Sequence, residues 1–455
     1  MLRRVLRFVF SRALGLFFRR IEVAGVEHVP AAAPTIFAIN HPNGLVDPLL
    51  LLCAAPRPVS FLGKAPLFSM PVIGWFVKAL DTIPVYRRQD DADTARNQET
   101  FTRARALLDR GGTIAIAPEG TSHSDPDLRP LKTGAARIAL GAGTREPVAI
   151  VPVGLFYTDK ARFRSSALVL FGEPLVVAPV TSGTEPPAPD VEAVTRTLID
   201  RIRSLVVRAD RQEALTVATR AERILTAALP DPKARTVEEI RVVRQRLADG
   251  YLTLRERAPT LLARFVRRMD RLERAFRMAN LDPANPVPAP AGAGAILRAA
   301  IWLLLRIVIF LPLALPGLVL HLPGYLAIGA IAPRVAKGQD DVLATIKLIA
   351  AALFYPLTWI AAGVVAGLRF GPVAGALTGV VLAPLSGYAA LKLVERFDRF
   401  VSGTRALGLS LFERDHFDRL VSAREEFRRD LLALERRLGD PAPPNGTTQT
   451  TTGPA

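Results

Sequence analysis

Two uncharged stretches of 21 residues each, Leu348–Leu368 and Gly371–Leu391, stand almost back to back and constrain this chain more than any other feature. About 20 apolar residues suffice for a helix to cross a bilayer's hydrocarbon core. Only Arg369 and Phe370 separate the two, so spans here must form a tight transmembrane hairpin; a pair of buried core helices is the competing reading. Lys347 precedes the first stretch, and Lys392, Arg396 and Arg399 follow the second, which puts both outer flanks on the cytoplasmic side. Upstream, Ala299–Ala332 is apolar apart from Arg306 and His321, but Pro312, Pro316 and Pro323 interrupt it. It reads either as a kinked span followed by a short helix or as a re-entrant hairpin. A membrane region is therefore expected over residues 295–394.

The remainder divides by pattern. Over residues 22–178, short β-type runs (Thr35–Ile39, Val59–Leu62, Thr82–Val85, Thr113–Ile116, Ala149–Leu155, Ala167–Phe171) alternate with segments of helical period such as Thr94–Leu108 and Thr133–Ala142. Alternation of this kind predicts an α/β domain with a mixed or parallel sheet. A Pro-, Ser- and Thr-rich linker follows (Ala178–Asp190), then a charged helical module over 191–279 with apolar residues at helical spacing, including Ile199, Ile202, Leu205 and Val206. A second Pro/Ala-rich linker, Asn280–Gly294, leads to the membrane region. Residues 395–438 return to charged helix, and the Pro/Gly/Thr stretch 439–455 reads as a disordered tail. At the other end, residues 1–21 open like a signal peptide, but Arg7 and Arg12 break the apolar run and no small-residue cleavage site follows. A basic helix lying at the membrane interface fits better, although its helical wheel is not clean.

The net charge of +17 admits three readings. Nucleic acid is disfavoured: the cations are mostly arginine, scattered rather than clustered, and no nucleic-acid module appears. An anionic lipid surface suits cations that coexist with apolar spans. Coding bias in an Arg-, Ala- and Pro-rich chain is the third. A lone cysteine, Cys53, excludes an internal disulfide, and five histidines leave little material for a metal site, so none is expected.

Chemistry is suggested first by Asn40-His41-Pro42-Asn43-Gly44-Leu45-Val46-Asp47-Pro48, directly after a strand. Moving an acyl group onto an alcohol needs a base for the hydroxyl proton, and imidazole titrates in a suitable range. A carboxylate beside it can fix the tautomer and stabilise the imidazolium, and Pro, Asn and Gly allow a turn that brings the two together. Asp47 is also a good helix N-terminal residue ahead of Pro48, and the two roles are compatible. Next, Ile83–Arg88 ends a strand with two guanidinium groups suited to phosphate, or else with a solvated arginine pair. Pro118-Glu119-Gly120-Thr121-Ser122 is either a polar pocket lining or a plain turn. Lys132, ahead of the helix at Thr133-Gly134, favours an anion. Ile150-Val151-Pro152-Val153-Gly154 on its own is core.

Taken in order, these segments resemble the four blocks of the glycerol-phosphate and lysophosphatidate acyltransferase superfamily: NHPNGLVD, GWFVKALDTIPVYR (Gly74–Arg87), PEGTS and VPVG. The resemblance covers Val23–Val177. It implies that His41 is the base and Asp47 its partner, that Arg87 holds the acceptor phosphate, and that Glu119 and Gly120, with Thr121 and Ser122, line the same pocket. Most of the superfamily has arginine where Ser122 stands. Five residues rather than the usual four separate His41 from Asp47, which resembles the fungal-type glycerol-3-phosphate/dihydroxyacetone-phosphate branch. So do Asp340–Lys347 ahead of an apolar span and the order of catalytic domain before membrane spans. The resemblance thus implies a cytoplasm-facing O-acyltransferase of phospholipid synthesis that takes acyl-CoA or acyl carrier protein as thioester donor, without a cofactor. Glycerol-3-phosphate is the expected acceptor. Lysophosphatidate or another lysolipid is the alternative, and a non-enzymatic lipid-binding scaffold is a third reading.

Overall fold

The computed structural model describes residues 1–87, 90, 93–180, 186–227, 235–282, 293–395 and 413–439. Arg88, Arg396, Arg399, residues 181–185 of the first linker, residues 283–292 of the second and the expected disordered tail from residue 440 onward lie outside the described residues. Two compact units result: residues 1–212, 235–242 and 291–401 form the first, and residues 213–234, 243–290 and 402–455 the second.

The first unit is built on a mixed sheet of β1 (Arg20–Ala24), β2 (Thr35–Ile39), β3 (Ser60–Lys64), β4 (Ile83–Val85), β5 (Thr113–Ile116), β6 (Val148–Tyr157), β7 (Ser166–Phe171) and β8 (Leu175–Val177). The order is β1-β7-β6-β2-β5-β3-β4, with β8 also paired to β6. Pairings are parallel except for β6 with β7 and β6 with β8. Its helices are α1 (Leu2–Phe17), α2 (Val46–Ala54), α3 (Pro71–Ala79), α4 (Asn97–Leu108), α5 (Gly134–Leu140) and α6 (Ala188–Leu205).

Strand β2 explains why the sheet must be covered on both faces. All five of its side chains are buried, and they alternate: Phe37 and Ile39 join a core with α1 and α2, Ile36 and Ala38 a second core with α4, α5 and α6. Side chains of period two point to opposite faces, so an unbroken apolar run needs helices on each. Each fully buried Ile, Leu or Phe contributes roughly 1.5–3 kcal/mol of transfer free energy. The proline of the VPVG block sits in β6 without breaking it. β6 pairs with β8 over Val148–Ile150 and with β7 over Val153–Tyr157, so Pro152 falls between two ladders, where a missing N–H costs no antiparallel rung.

Several boundaries differ from expectation. β1 and β8 were not anticipated, because β1 alternates Arg20 and Glu22 with its apolar residues and β8 has only three residues. α1 ends at Phe17 rather than reaching residue 21, and Leu6, Leu14 and Phe17 are buried in the core. Leu2, Val5, Phe8 and Val9 are exposed. The helix is apolar on two faces, which accounts for its unclean wheel. α6 belongs to the sheet's core through Val191, Leu198 and Ile202, not to the charged module that was expected to begin at residue 191.

Three further helices complete this unit. α10 (Ala293–Ala336) is continuous through Pro312, Pro316, Pro323 and Pro333, neither a span with a separate short helix nor a hairpin. α11 (Asp340–Phe370) and α12 (Pro372–Glu395) follow. Phe310–Ala336, α11 and α12 are each long and apolar enough to cross a membrane. α11 and α12 form the expected hairpin. A Cβ on Gly375 would lie 2.8 Å from the Gly363 carbonyl, so only glycines permit this backbone approach.

The second unit takes in most of α7 (Gln212–Ala227), the C-terminal part of α8 (Val237–Arg257), α9 (Pro259–Met278) and α13 (Arg414–Gly439). Arg220 bonds Asp270 and Glu273, Arg244 bonds Glu222, and the Phe265 and Phe427 rings stack at 4.9 Å.

Candidate active site

The parallel strands β2, β4 and β5 end at one edge of the sheet, and their following loops carry the residues of interest. This is where open α/β sheets place their sites. After β2, the chain turns through Pro42–Leu45 into α2, whose first turn contains Asp47. The turn brings His41 Nδ1 to 2.8 Å from Asp47 Oδ2. Asp47 is fully buried, whereas the His41 side chain is 21% exposed.

Three donors hold the carboxylate. The Asn43 N–H gives 2.7 Å to the same Oδ2, and the Tyr157 hydroxyl, from the end of β6, donates to Oδ1 at 2.5 Å. A buried carboxylate needs this degree of satisfaction. Burial, and then the Asp47 charge, push the Tyr157 phenol well above its ordinary range, so it stays a neutral donor. With Asp47 ionised, Nδ1 carries the proton. Nε2 is then the basic nitrogen, and no described group bonds it.

The loop after β5 forms a second imidazole–carboxylate pair. Glu119 Oε1 accepts the His41 main-chain N–H at 3.1 Å; Oε2 accepts from His123 Nε2 and from the Arg129 N–H at 3.0 Å. His123 Nδ1 in turn accepts the Asp125 N–H at 3.1 Å, which fixes the proton on Nε2, and the His123 N–H bonds the His41 carbonyl at 3.1 Å. Glu119 is therefore spent on protein groups, and it sets the backbone around His41.

Gly120 connects this loop to the cations. Its carbonyl accepts from Arg87 Nη1 at 2.8 Å, and a Cβ there would lie 2.5 Å from Lys132 Nζ. Only glycine lets that lysine lie across the turn. Arg87 also grips Asp90 with Nε (2.7 Å) and Nη2 (2.8 Å). That bond, with the charges of Lys64 and Lys132, holds the Asp90 carboxyl below the usual carboxylate range. Arg87, Lys132 and Lys64 thus make a cationic patch around one acid, which a phosphate could replace as partner. Among the described residues, Thr121 bonds only the Ser122 carbonyl, at 3.3 Å.

The fourth side of the site comes from far along the chain. Ser122 Oγ donates to Asp341 Oδ2 at 2.6 Å, and Thr345 Oγ1 accepts the Leu45 N–H at 3.0 Å, both from the start of α11. Lys160 Nζ donates to the Pro42 carbonyl at 3.0 Å and to Ser124 Oγ at 2.6 Å. Burial lowers the Lys160 ammonium, and Asp341 and Asp47 partly offset the effect.

Sequence reasoning selected His41, Asp47, Arg87, Glu119, Gly120, Thr121, Ser122 and Lys132, and the structure places them around this edge. It missed Tyr157, His123, Lys64, Lys160, Asp341 and Thr345. Of these, His123 lies one residue beyond the PEGTS block, and Asp341 and Thr345 fall within the Asp340–Lys347 segment that carried the resemblance without a site role. Among the described residues, no group of three or more His, Cys, Asp or Glu could hold a metal ion.

Residues 20–155 match the family model described as Acyltransferase. Glycerol-3-phosphate O-acyltransferase 2 of Saccharomyces cerevisiae is 28% identical over 295 residues, covering 59% of this chain and 38% of that protein. Glycerol-3-phosphate O-acyltransferase 1 of the same yeast is 25% identical over 451 residues, covering 76% of this chain and 58% of the other. The chloroplastic 1-acyl-sn-glycerol-3-phosphate acyltransferase LPAT1 of Arabidopsis thaliana is 29% identical over 144 residues, 31% of this chain and 38% of that one. The chain therefore spans less than two thirds of the length of each of these relatives.

Proposed function

We propose that this chain, with its acyltransferase-family domain at residues 20–155, is a membrane-bound O-acyltransferase that moves a fatty acyl group from acyl-CoA or acyl carrier protein to glycerol-3-phosphate. The observation that carries the reading is the 2.8 Å His41–Asp47 contact, with Asp47 buried and the other imidazole nitrogen left without a partner among the described residues. His41 Nε2 removes the proton of an acceptor hydroxyl as the oxygen attacks the thioester carbonyl. The tetrahedral intermediate collapses, the carbon–sulfur bond breaks, and the imidazolium returns its proton to the departing thiolate. Asp47 stabilises the imidazolium through Nδ1. Glu119, Gly120, Thr121 and Ser122 shape the opening, and no metal or acyl-enzyme is needed.

Arg87 and Lys132 hold the acceptor phosphate, with Asp90 as the resident partner it displaces. Glycerol-3-phosphate is preferred over lysophosphatidate because the similarity to the yeast glycerol-3-phosphate enzymes extends over 59% and 76% of the chain, well past the matched domain. The apolar helices hold the site where acyl chains partition, with the domain facing the cytoplasm. An acceptor panel assayed with labelled acyl donor tests both parts. Glycerol-3-phosphate should be acylated faster than lysophosphatidate, and Arg87→Ala should raise KM about tenfold or more for phosphorylated acceptors only. An equal loss with an unphosphorylated alcohol would remove the phosphate role, and failure with every acceptor would end the enzymatic reading.

A further inference from the structure

A second concave feature lies at the other edge of the sheet. A cavity of about 860 Å³ opens where β3, β4 and β5 begin, whereas His41, Arg87 and Glu119 follow strand ends. Thr113, at the start of β5, lines the cavity, whereas Glu119 follows the end of the same strand, so the two features lie toward opposite ends of the strands. Its volume is in the range of small-ligand sites.

Its lining is cationic. Arg3 from α1, Lys78 from α3, and Arg103 and Arg110 from α4 surround it, with Asp81 as the only carboxylate. Asp81 bonds Arg3 at 3.4 Å. Lys78, Arg103 and Arg110 have no carboxylate partner among the described residues, so the cavity carries about three positive charges in excess. Thr113 adds a separate observation. It is 3% exposed and lines the cavity, yet its hydroxyl, like Arg3 Nε, is buried without a hydrogen-bond partner. A buried hydroxyl left unbonded costs about 1–3 kcal/mol, and an acceptor in the cavity would remove that cost. Burial also depresses the Arg3 guanidinium, with only Asp81 opposing it; an anion alongside would further favour its charged form.

We propose that this cavity is a second binding site, for a phosphate-bearing anion. Arginine forks and a lone hydroxyl match the oxygens of a phosphate group. Two sources share that chemistry. One is a soluble phosphate; the other is the headgroup of an anionic lipid, which α1 could bring close because Leu2, Val5, Phe8 and Val9 are exposed on the helix that carries Arg3.

The test uses the full chain in nanodiscs of phosphatidylcholine and equilibrium dialysis of labelled pyrophosphate. We expect one bound pyrophosphate that glycerol-3-phosphate does not displace. Arg103→Glu/Arg110→Glu, at two exposed positions outside the acyl-transfer machinery, should weaken that site at least about tenfold while acyl transfer in the same discs stays within about twofold. Thr113→Val should weaken it severalfold; if that variant does not fold, the surface pair still decides the matter. Discs containing phosphatidate distinguish the sources: they block pyrophosphate if a lipid headgroup is the occupant and leave it unchanged if a soluble phosphate is. A glycerol-3-phosphate-insensitive site that is absent from the native chain, or undiminished in the arginine pair variant, overturns the proposal.

Discussion

Two histidine–carboxylate pairs sit side by side in this molecule, and they differ in which imidazole keeps a ring nitrogen open to the site. His41 meets Asp47 through Nδ1, keeps 21% of its side chain exposed and leaves Nε2 unbonded. His123 meets Glu119 through Nε2, is 8% exposed, and has Nδ1 occupied by the Asp125 N–H. Residue type and partner type are the same. What distinguishes them is which nitrogen faces the carboxylate and whether the remaining one can reach a substrate. A neutral imidazole with both nitrogens engaged has no lone pair to offer.

The contrast can be broken most severely at His41. His41→Ala should lower single-turnover acyl transfer roughly 10²–10⁴-fold with unchanged far-UV circular dichroism; residual activity near that of the native chain would reverse the assignment of the two rings. His123→Leu should act in the opposite sense. It leaves buried Glu119 short of a donor and should cost about 1–3 kcal/mol in thermal unfolding, with kcat falling by less than about tenfold. A larger kinetic than thermal effect would make His123 a participant.

Tyr157→Phe sharpens the Asp47 side. Losing one donor should cost about 1 kcal/mol and lower kcat a fewfold. Because the folded phenol titrates above the unfolded one, its stabilisation is full below about pH 10 and erodes as pH rises beyond that value. The variant should therefore unfold with a weaker alkaline dependence than the native chain above pH 10. The smallest change is expected for Ser122→Ala, which frees Asp341 and should alter KM by no more than about threefold. A large loss of kcat there would draw the Ser122–Asp341 contact into the chemistry.

Much of the α/β frame was legible in the sequence because its information is local. Thr35–Ile39 and Thr113–Ile116 are continuous apolar runs bounded by turn residues, and both appear as strands at those limits. β1 was missed because an edge strand can carry Arg20 and Glu22 without penalty. His41 and Asp47 were found because one short turn contains both. Tyr157 reaches Asp47 across 110 residues, and Asp341 reaches Ser122 across 219; the Asp340–Lys347 segment stood out, but nothing local to it or to β6 says which loop either residue meets. The continuity of α10 was also hidden. Four prolines argue against one helix in water, but in a row of apolar helices the freed carbonyls can be satisfied locally.

The first two turns of α11 clasp both loops that frame the imidazole, through Thr345 to Leu45 and Asp341 to Ser122, and the same helix, 31 residues in all, runs on to Phe370. One apolar helix is thus tied at its start to the loops around His41. A fragment cut after the sheet would keep every motif and lose the helix that bonds both loops, so shortened forms of this chain should extend at least to residue 345.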